Sequence, residues 1–430
     1  MKKTHLSLLW SLLLFAACSK DDAPDPIVTD RFDPVFAQVL QARGYIADAK
    51  RIDLNEVKDI ETLKLSLCGL TSLRGIEYFT SLLYLDCGSN QLTAVDISQN
   101  TTLTYLDCSY NQLTALDISN NTALTHLNCG SNQLTALDIS YSNTALNYLD
   151  CSFNDLTALD ISSSNTALTY LNCYYNQLTA LDISKNTALT ELYCGVNRLT
   201  ALDISKNTTL THLDCSYNQL TALDLSKNTA LTVLYCDINQ PTALDLSNNT
   251  ALTELYCNGC TALDLSNNTA LTVLYCCDLT ALDISKNTAL TVLNCSDCRF
   301  TALDLSNNTA LTELHSSRNP FTALDISKNT ALTELSCFSN RLTALDISKN
   351  TALTYVDCRS NRLTALDISK NTALTDLDCT MNPGDGTLFP ITAWFDNDHI
   401  PSFKGFAGSD FQMNWSYDGS PITIDFRKAE

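Results

Sequence analysis

The residues that could do chemistry in this chain are its 19 cysteines. Cys87, Cys108, Cys129, Cys151, Cys173, Cys194, Cys215, Cys236, Cys257, Cys276, Cys295, Cys337, Cys358 and Cys379 recur at a near-constant spacing that Ser316 alone interrupts. Thiols at such intervals can pair as disulfides, ligate a metal or fill a core. If each lies on a short strand in register with the next, neighbouring Cβ atoms sit about 4.8 Å apart on parallel vectors. A disulfide needs about 3.8 Å and a particular torsion. The ladder is therefore expected to be buried free thiols, each acting as a small hydrophobe. Cys260, Cys277 and Cys298 lie off the ladder where the spacing shortens. Zinc there would need thiolates converging from adjacent segments, so packing is the expectation and a disulfide or metal the alternative.

Other chemistry is thinly supported. His126, His212 and His315 fall in separate segments, so no serine, histidine and acid triad can be assembled. From Tyr45 to Glu56 only Glu56 matches a helix-loop-helix calcium pattern. A row of aspartates at Asp96, Asp117, Asp138, Asp160, Asp182, Asp203, Asp224, Asp245, Asp264, Asp283, Asp304, Asp325, Asp346 and Asp367 must be relieved by hydrogen bonds or nearby lysines, because like charges one strand apart repel by roughly 1 kcal/mol in water. The chain reads as a non-enzyme with no cofactor and no resident metal.

What varies is two columns of residues flanking the repeated leucine. One carries Tyr84, Tyr105, His126, Tyr148, Tyr170, Glu191, His212, Val233, Glu254 and Val273; the other Asp86, Asp107, Asn128, Asp150, Asn172, Tyr193, Asp214, Tyr235, Tyr256 and Tyr275. The expected binding residues are Tyr84, Asp86, Tyr105, Asp107, Tyr148, Asp150, Tyr170, Asn172, Tyr193, Tyr235, Tyr256 and Tyr275. Tyrosine offers contact area at little rotamer entropy, with a hydroxyl for hydrogen bonding.

The elements that position these columns follow from the repeat. Leucines return from Leu82 to Leu374, mostly 21 residues apart with two intervals of 22 and two of 19. In Tyr105-Leu106-Asp107-Cys108 the period of two turns Leu106 and Cys108 inward and the other two outward. The second half of each unit, as in Leu113 to Ser119, also alternates, so a coil this short has no room for a helix of normal length. Asn111, Asn132, Asn154, Asn176, Asn197, Asn218 and Asn340 are expected to satisfy buried backbone groups at the bend. Stacking such coils makes a repeat solenoid with a parallel β-sheet on its concave side and short strands or irregular coil on its convex side. Asp33 and Pro34 start a helix with Val35, Phe36, Val39 and Leu40 as its apolar stripe, which caps the front with the degenerate coil Leu63 to Ser81. Phe411 to Phe426 alternate around Asp418-Gly419 as a β-hairpin that caps the back.

The opening MKKTHLSLLWSLLLFAAC has a basic start, an apolar core too short to span a bilayer, and small residues before Cys18. It resembles a bacterial lipoprotein signal in which Cys18 is lipidated. Ser19-Lys20-Asp21-Asp22 resembles an export tag to the outer face of the Gram-negative outer membrane. The expected organisation is a leader at 1–17, a lipid anchor and flexible tether at 18–30, an N-terminal cap and degenerate first repeat at 31–81, about 15 coils at 82–382 and a C-terminal β cap at 383–430. Net charge is −21, with 26 Lys and Arg against 47 Asp and Glu. That balance argues against nucleic acid and against anionic headgroups, leaving the anchor as the membrane contact.

The unit L-x-x-L-x-C-x-x-N-x-L-x-x-L-D-[IL]-S resembles the leucine-rich repeat signature with cysteine at the third leucine. From Leu82 to Asn382 it resembles the internalin J class of cysteine-ladder surface proteins. That resemblance implies surface binding to a protein on a host or neighbouring cell, although the lipoprotein leader replaces the family's cell-wall sorting tail. The reading is a surface-exposed, lipid-anchored outer-membrane protein that binds a macromolecule through its concave face. The alternative is a glycan receptor using the tyrosines.

Overall fold

A computed structural model describes residues 30–139, 143–161, 165–237, 239, 244–404 and 410–429; Cys18, the leader and most of the tether lie outside them. The period-two segments form one parallel sheet of 16 strands in sequence order. It starts at β1 (Thr62–Lys64), runs through β2 (Tyr84–Asp86), β3 (Tyr105–Asp107), β4 (His126–Asn128), β5 (Tyr148–Asp150), β6 (Tyr170–Asn172), β7 (Glu191–Tyr193), β8 (His212–Asp214), β9 (Val233–Tyr235), β10 (Glu254–Tyr256), β11 (Val273–Tyr275), β12 (Val292–Asn294), β13 (Glu313–His315), β14 (Glu334–Ser336) and β15 (Tyr355–Asp357), and ends at β17 (Asp376–Asp378). Registers are direct: Leu106 pairs with Leu127 and Tyr148 with Tyr170. The shortened coils around Cys260 keep that register, since Leu255 still pairs with Leu274. Apart from the two-residue β16 (Leu366–Asp367) and two isolated bridges, the described convex side is irregular turns.

Each ladder cysteine is buried and free. The strand spacing brings no disulfide pair together, and desolvation pushes the thiols up, Cys173 to about 12. Ser316, where the ladder breaks, is equally buried, and its hydroxyl has no partner among the described residues. Off the ladder, the Cys260 thiol meets that of Cys257, and the Cys298 thiol meets that of Cys276. Cys68 and Cys277 are the described cysteines that are not buried. Brief alkylation of the native protein, read by peptide mass spectrometry, should therefore label these two and spare the ladder. Rapid labelling of Cys108 or Cys215 would refute the closed core.

Two asparagine ladders stitch the coils. The expected one works as anticipated: Asn111 Nδ2 donates to the carbonyls of Cys87, Cys108 and Ser109 at 3.0–3.1 Å, while its Oδ1 accepts from the Leu92 amide at 2.9 Å. The second lies in the polar turn that closes each coil. Asn121, Asn186, Asn207 and their equivalents are fully buried, and each donates to carbonyls of the preceding coil, Asn207 to Ile183 at 3.1 Å and Asn186 at 2.8 Å. The aspartate row is relieved by its own turns. Asp117 Oδ1 accepts from the Ser119 amide at 2.9 Å, and the Ser119 amide and hydroxyl hold it below the usual carboxylate range. No ion pair among the described residues joins this row to a lysine.

At the front, α1 (Pro34–Ala42) begins at Asp33, whose carboxylate accepts from the Val35 and Phe36 amides. Its buried face is Phe36, Ala37 and Leu40. Val35, assigned to the apolar stripe from sequence, is instead exposed, because at the second helical position it points away from the coil that Phe36 covers. At the back, β19 (Asn414–Tyr417) and β20 (Ser420–Lys428) form the hairpin through Asp418 and Gly419, both at positive φ. The cap is larger than a hairpin. β18 (Leu388–Ala393) lies parallel to β20 on one side and to β16 on the other, tying the cap to the convex side of the last coils.

Candidate functional site

Along the sheet the central residue of every strand is buried and its neighbours face the concave surface. The direct register places equivalent rings one strand apart, close enough to stack. Tyr84, Tyr105, His126, Tyr148 and Tyr170 form one pile of five rings, with centroids 4.1, 4.3, 3.9 and 4.2 Å apart and planes within 10°. His126 completes it, and sequence reasoning left that residue out of the binding set. Burial in the pile pushes His126 down, so it stays neutral at pH 7. Desolvation pushes the Tyr105 and Tyr148 hydroxyls up, so they remain donors.

Beside the pile, Asp107 accepts from the Ser109 hydroxyl at 2.6 Å and from Asn128 Nδ2 at 3.2 Å. Asp150 repeats this with Ser152 at 2.6 Å and Asn172 at 3.0 Å. The polar column is thus pre-set by lateral Asp to Asn bonds, and Asp86 accepts from the Gly88 amide at 3.2 Å.

The tyrosines of the two columns form two separate stacks. Tyr170 meets Tyr193 only at a tilt, 5.6 Å apart, and the Tyr193 hydroxyl turns back to Glu191 at 3.0 Å. Asp214 then takes the tyrosine's place, and stacking resumes with Tyr235, Tyr256 and Tyr275 at 4.2 and 4.8 Å. Between the stacks lies a hollow of about 240 Å³ lined by Tyr193, His212, Leu213, Val233, Tyr235 and Glu254.

A further row escaped the sequence reading. Tyr110, Phe153, Tyr175 and Tyr217 each stand three residues after their strands at positive φ and are about half or more exposed. Phe153 and Tyr175 stack at 5.1 Å. Left-handed backbone is unfavourable for bulky residues. The bend imposes it at this place in coil after coil, on Ser89, Val196 and Arg318 as well. Its sequence signal is an aromatic immediately before the repeat's asparagine.

Toward the far end, Asp357 is buried, with Arg359 3.5 Å from it and 3.4 Å from Asp378. Desolvation outweighs the Arg359 charge and pushes Asp357 up to about 6. The folded state then binds this proton more tightly than the unfolded chain, so the ionised residue costs stability above pH 6, and the cost disappears as the pH falls below about 4. Asp357→Asn should stabilise the protein by about 1–3 kcal/mol at pH 7.5 and leave it unchanged at pH 4. Asparagine already occupies the equivalent place at Asn128, Asn172 and Asn294. Urea midpoints at the two pH values check this, and a loss of stability at pH 7.5 would show that Arg359 dominates.

Comparison with known proteins agrees with this geometry. The model of the family described as leucine rich repeats (2 copies) matches residues 101–142. No curated protein matches the chain in sequence. The functional domain of InlJ from Listeria monocytogenes, whose structure includes a cysteine ladder, is 29% identical over 93% of this chain and 98% of its own, with a TM-score of 0.67. The Leptospira interrogans leucine-rich repeat protein LIC12759 is 26% identical over 77% of this chain and 92% of its own, at 0.69. The ectodomain of the Arabidopsis thaliana receptor kinase GASSHO1/SCHENGEN3, in complex with CASPARIAN STRIP INTEGRITY FACTOR 2, is 21% identical over 77% and 50% of the two chains, at 0.56. With its parallel sheet, its asparagine-stitched bends and its buried thiols, the chain is a leucine-rich repeat solenoid with a cysteine ladder, similar in fold to InlJ.

Proposed function

We propose that this protein is a bacterial surface lipoprotein, anchored through Cys18 to the outer membrane, that binds a protein on a host or neighbouring cell along its concave face. The observation that carries this reading is the five-ring pile from Tyr84 to Tyr170, flanked by aspartates and asparagines already fixed by lateral hydrogen bonds. Stacked rings lose little further freedom on binding, and preorganisation of this kind raises affinity. The exposed aromatics Tyr110, Phe153, Tyr175 and Tyr217 stand at the bends that follow these strands and add contact area there. The plant ectodomain of like fold is itself seen in complex with another protein, which accords with a protein partner.

A second reading, glycan binding, has its own support in the hollow between Tyr193 and Tyr235. Aromatic walls with His212 and Glu254 suit a sugar's apolar face and its hydroxyls. The test is to screen the purified protein against extracellular proteins and a glycan array, beside a variant with Tyr148 and Tyr170 changed to alanine. Saturable protein binding that the variant loses supports the first reading. Glycan binding that survives in this variant but is lost on Tyr235→Ala replaces it with the second.

A further inference from the structure

The first outward column contains one adjacent pair of acids in the regular strands. Glu313 on β13 pairs in register with Glu334 on β14. His315 follows Glu313 by two residues, so it faces the same side of the sheet. Its register partner on β14 is Ser336, a small side chain that leaves room beside the imidazole. The three residues occupy three corners of a square made by two strands and two rows. One ligand atom from each lies within 4.8 Å of the other two.

Among the described residues the pair of carboxylates has no ion-pair partner. Val292 and Tyr355 flank the pair along the column. Other acids of this face have been given donors: Asp107, Asp150 and Asp214 by serine hydroxyls, and Asp378 by Thr380. Two carboxylates one strand apart, with an imidazole beside them on β13, form a ready set of three donors.

We propose that Glu313, His315 and Glu334 form a divalent transition-metal site of the Zn2+ class on the concave face. Two carboxylate oxygens and one imidazole nitrogen match the donor types and the three-ligand number of an open zinc site, with metal to ligand distances of about 2.0–2.2 Å reached by small rotations of side chains that are at least partly exposed. Calcium does not fit, because it takes six to eight oxygen ligands and here one donor of three is nitrogen. The fourth position faces the solvent, where water or a donor from a bound partner completes the tetrahedron. The site depends on strand register alone and stands apart from the nature of the macromolecular partner.

The test is calorimetric titration of the purified, chelator-treated protein with Zn2+ alone, beside His315→Ala and the double variant Glu313→Gln with Glu334→Gln. All three positions face solvent, and circular dichroism should confirm that the variants fold. The expected result is uptake of one Zn2+ per chain, weakened by roughly tenfold or more in His315→Ala and abolished in the double variant. Because the chain is rich in cysteine, Co2+ is titrated in parallel; weak visible bands without a strong near-ultraviolet thiolate band assign the ion to oxygen and nitrogen donors. No uptake by the wild-type protein, uptake unchanged in the variants, or a strong thiolate band would each overturn the proposal.

Discussion

Asn218→Ala should destabilise the protein by about 2–4 kcal/mol, more than a surface truncation would cost. The Asn218 Nδ2 donates to the carbonyls of Cys194, Cys215 and Ser216 at 3.0, 3.2 and 3.2 Å, and its Oδ1 accepts from the Leu199 amide at 2.9 Å. The side chain is buried, so water cannot replace these bonds without opening the bend. Alanine leaves the Leu199 amide unpaired, which costs about 1–3 kcal/mol if it stays dry, and removes one of the two donors to each carbonyl, since Asn197, Asn239 and the Val196 amide still reach Cys194, Cys215 and Ser216. In a solenoid each coil contacts only its neighbours, so the damage is local in position but lowers the stability of the whole array. A shift in the urea midpoint, with faster hydrogen exchange at the Leu199 amide, checks the prediction. A loss under about 1 kcal/mol would mean that the bend is satisfied in another way.

Changing Tyr148 and Tyr170 together to alanine should weaken binding of the macromolecular partner by about 100-fold while leaving the fold intact. These two rings stack at 4.2 Å at the end of the pile nearest the centre of the array, with His126 and Tyr105 continuing it. Truncating a central interface aromatic costs about 2 kcal/mol or more when it is a hot spot. Two neighbours that share one stack are less than additive, which gives about 3 kcal/mol, or two decades in Kd. The loss should appear in the dissociation rate, because neither residue is charged. Tyr275→Ala, at the end of the second stack, should change Kd by less than about threefold. Surface plasmon resonance against the partner identified in the screen decides the matter. Equal loss for Tyr275→Ala would spread the interface over both stacks, and no loss in the double variant would remove the pile from the binding site.

The coils were legible because their causes are local. Alternation in Tyr105-Leu106-Asp107-Cys108 decides which side chains point inward, and coil length excludes helices whatever the neighbours do. The free-thiol ladder followed in the same way from strand spacing and the geometry a disulfide demands. The second asparagine ladder was less visible, since Asn121 in Asn120-Asn121-Thr122 reads as ordinary turn chemistry until the preceding coil supplies the carbonyls of Ile97 and Asn100.

From the amino-acid sequence alone came the repeat, the inward leucines and cysteines, the stitched bends, the two outward columns and the presence of a cap at each end. Only the tertiary structure decided that His126 belongs to the aromatic pile, that a hollow separates the two tyrosine stacks, that β18 joins the back cap, and that Glu313, His315 and Glu334 converge. The division has one physical reason. Which way a side chain points is set by its own strand's pleat, a matter of two residues, whereas which rings stack and which donors meet is set by register between coils about 21 residues apart. That register is a property of the packed array.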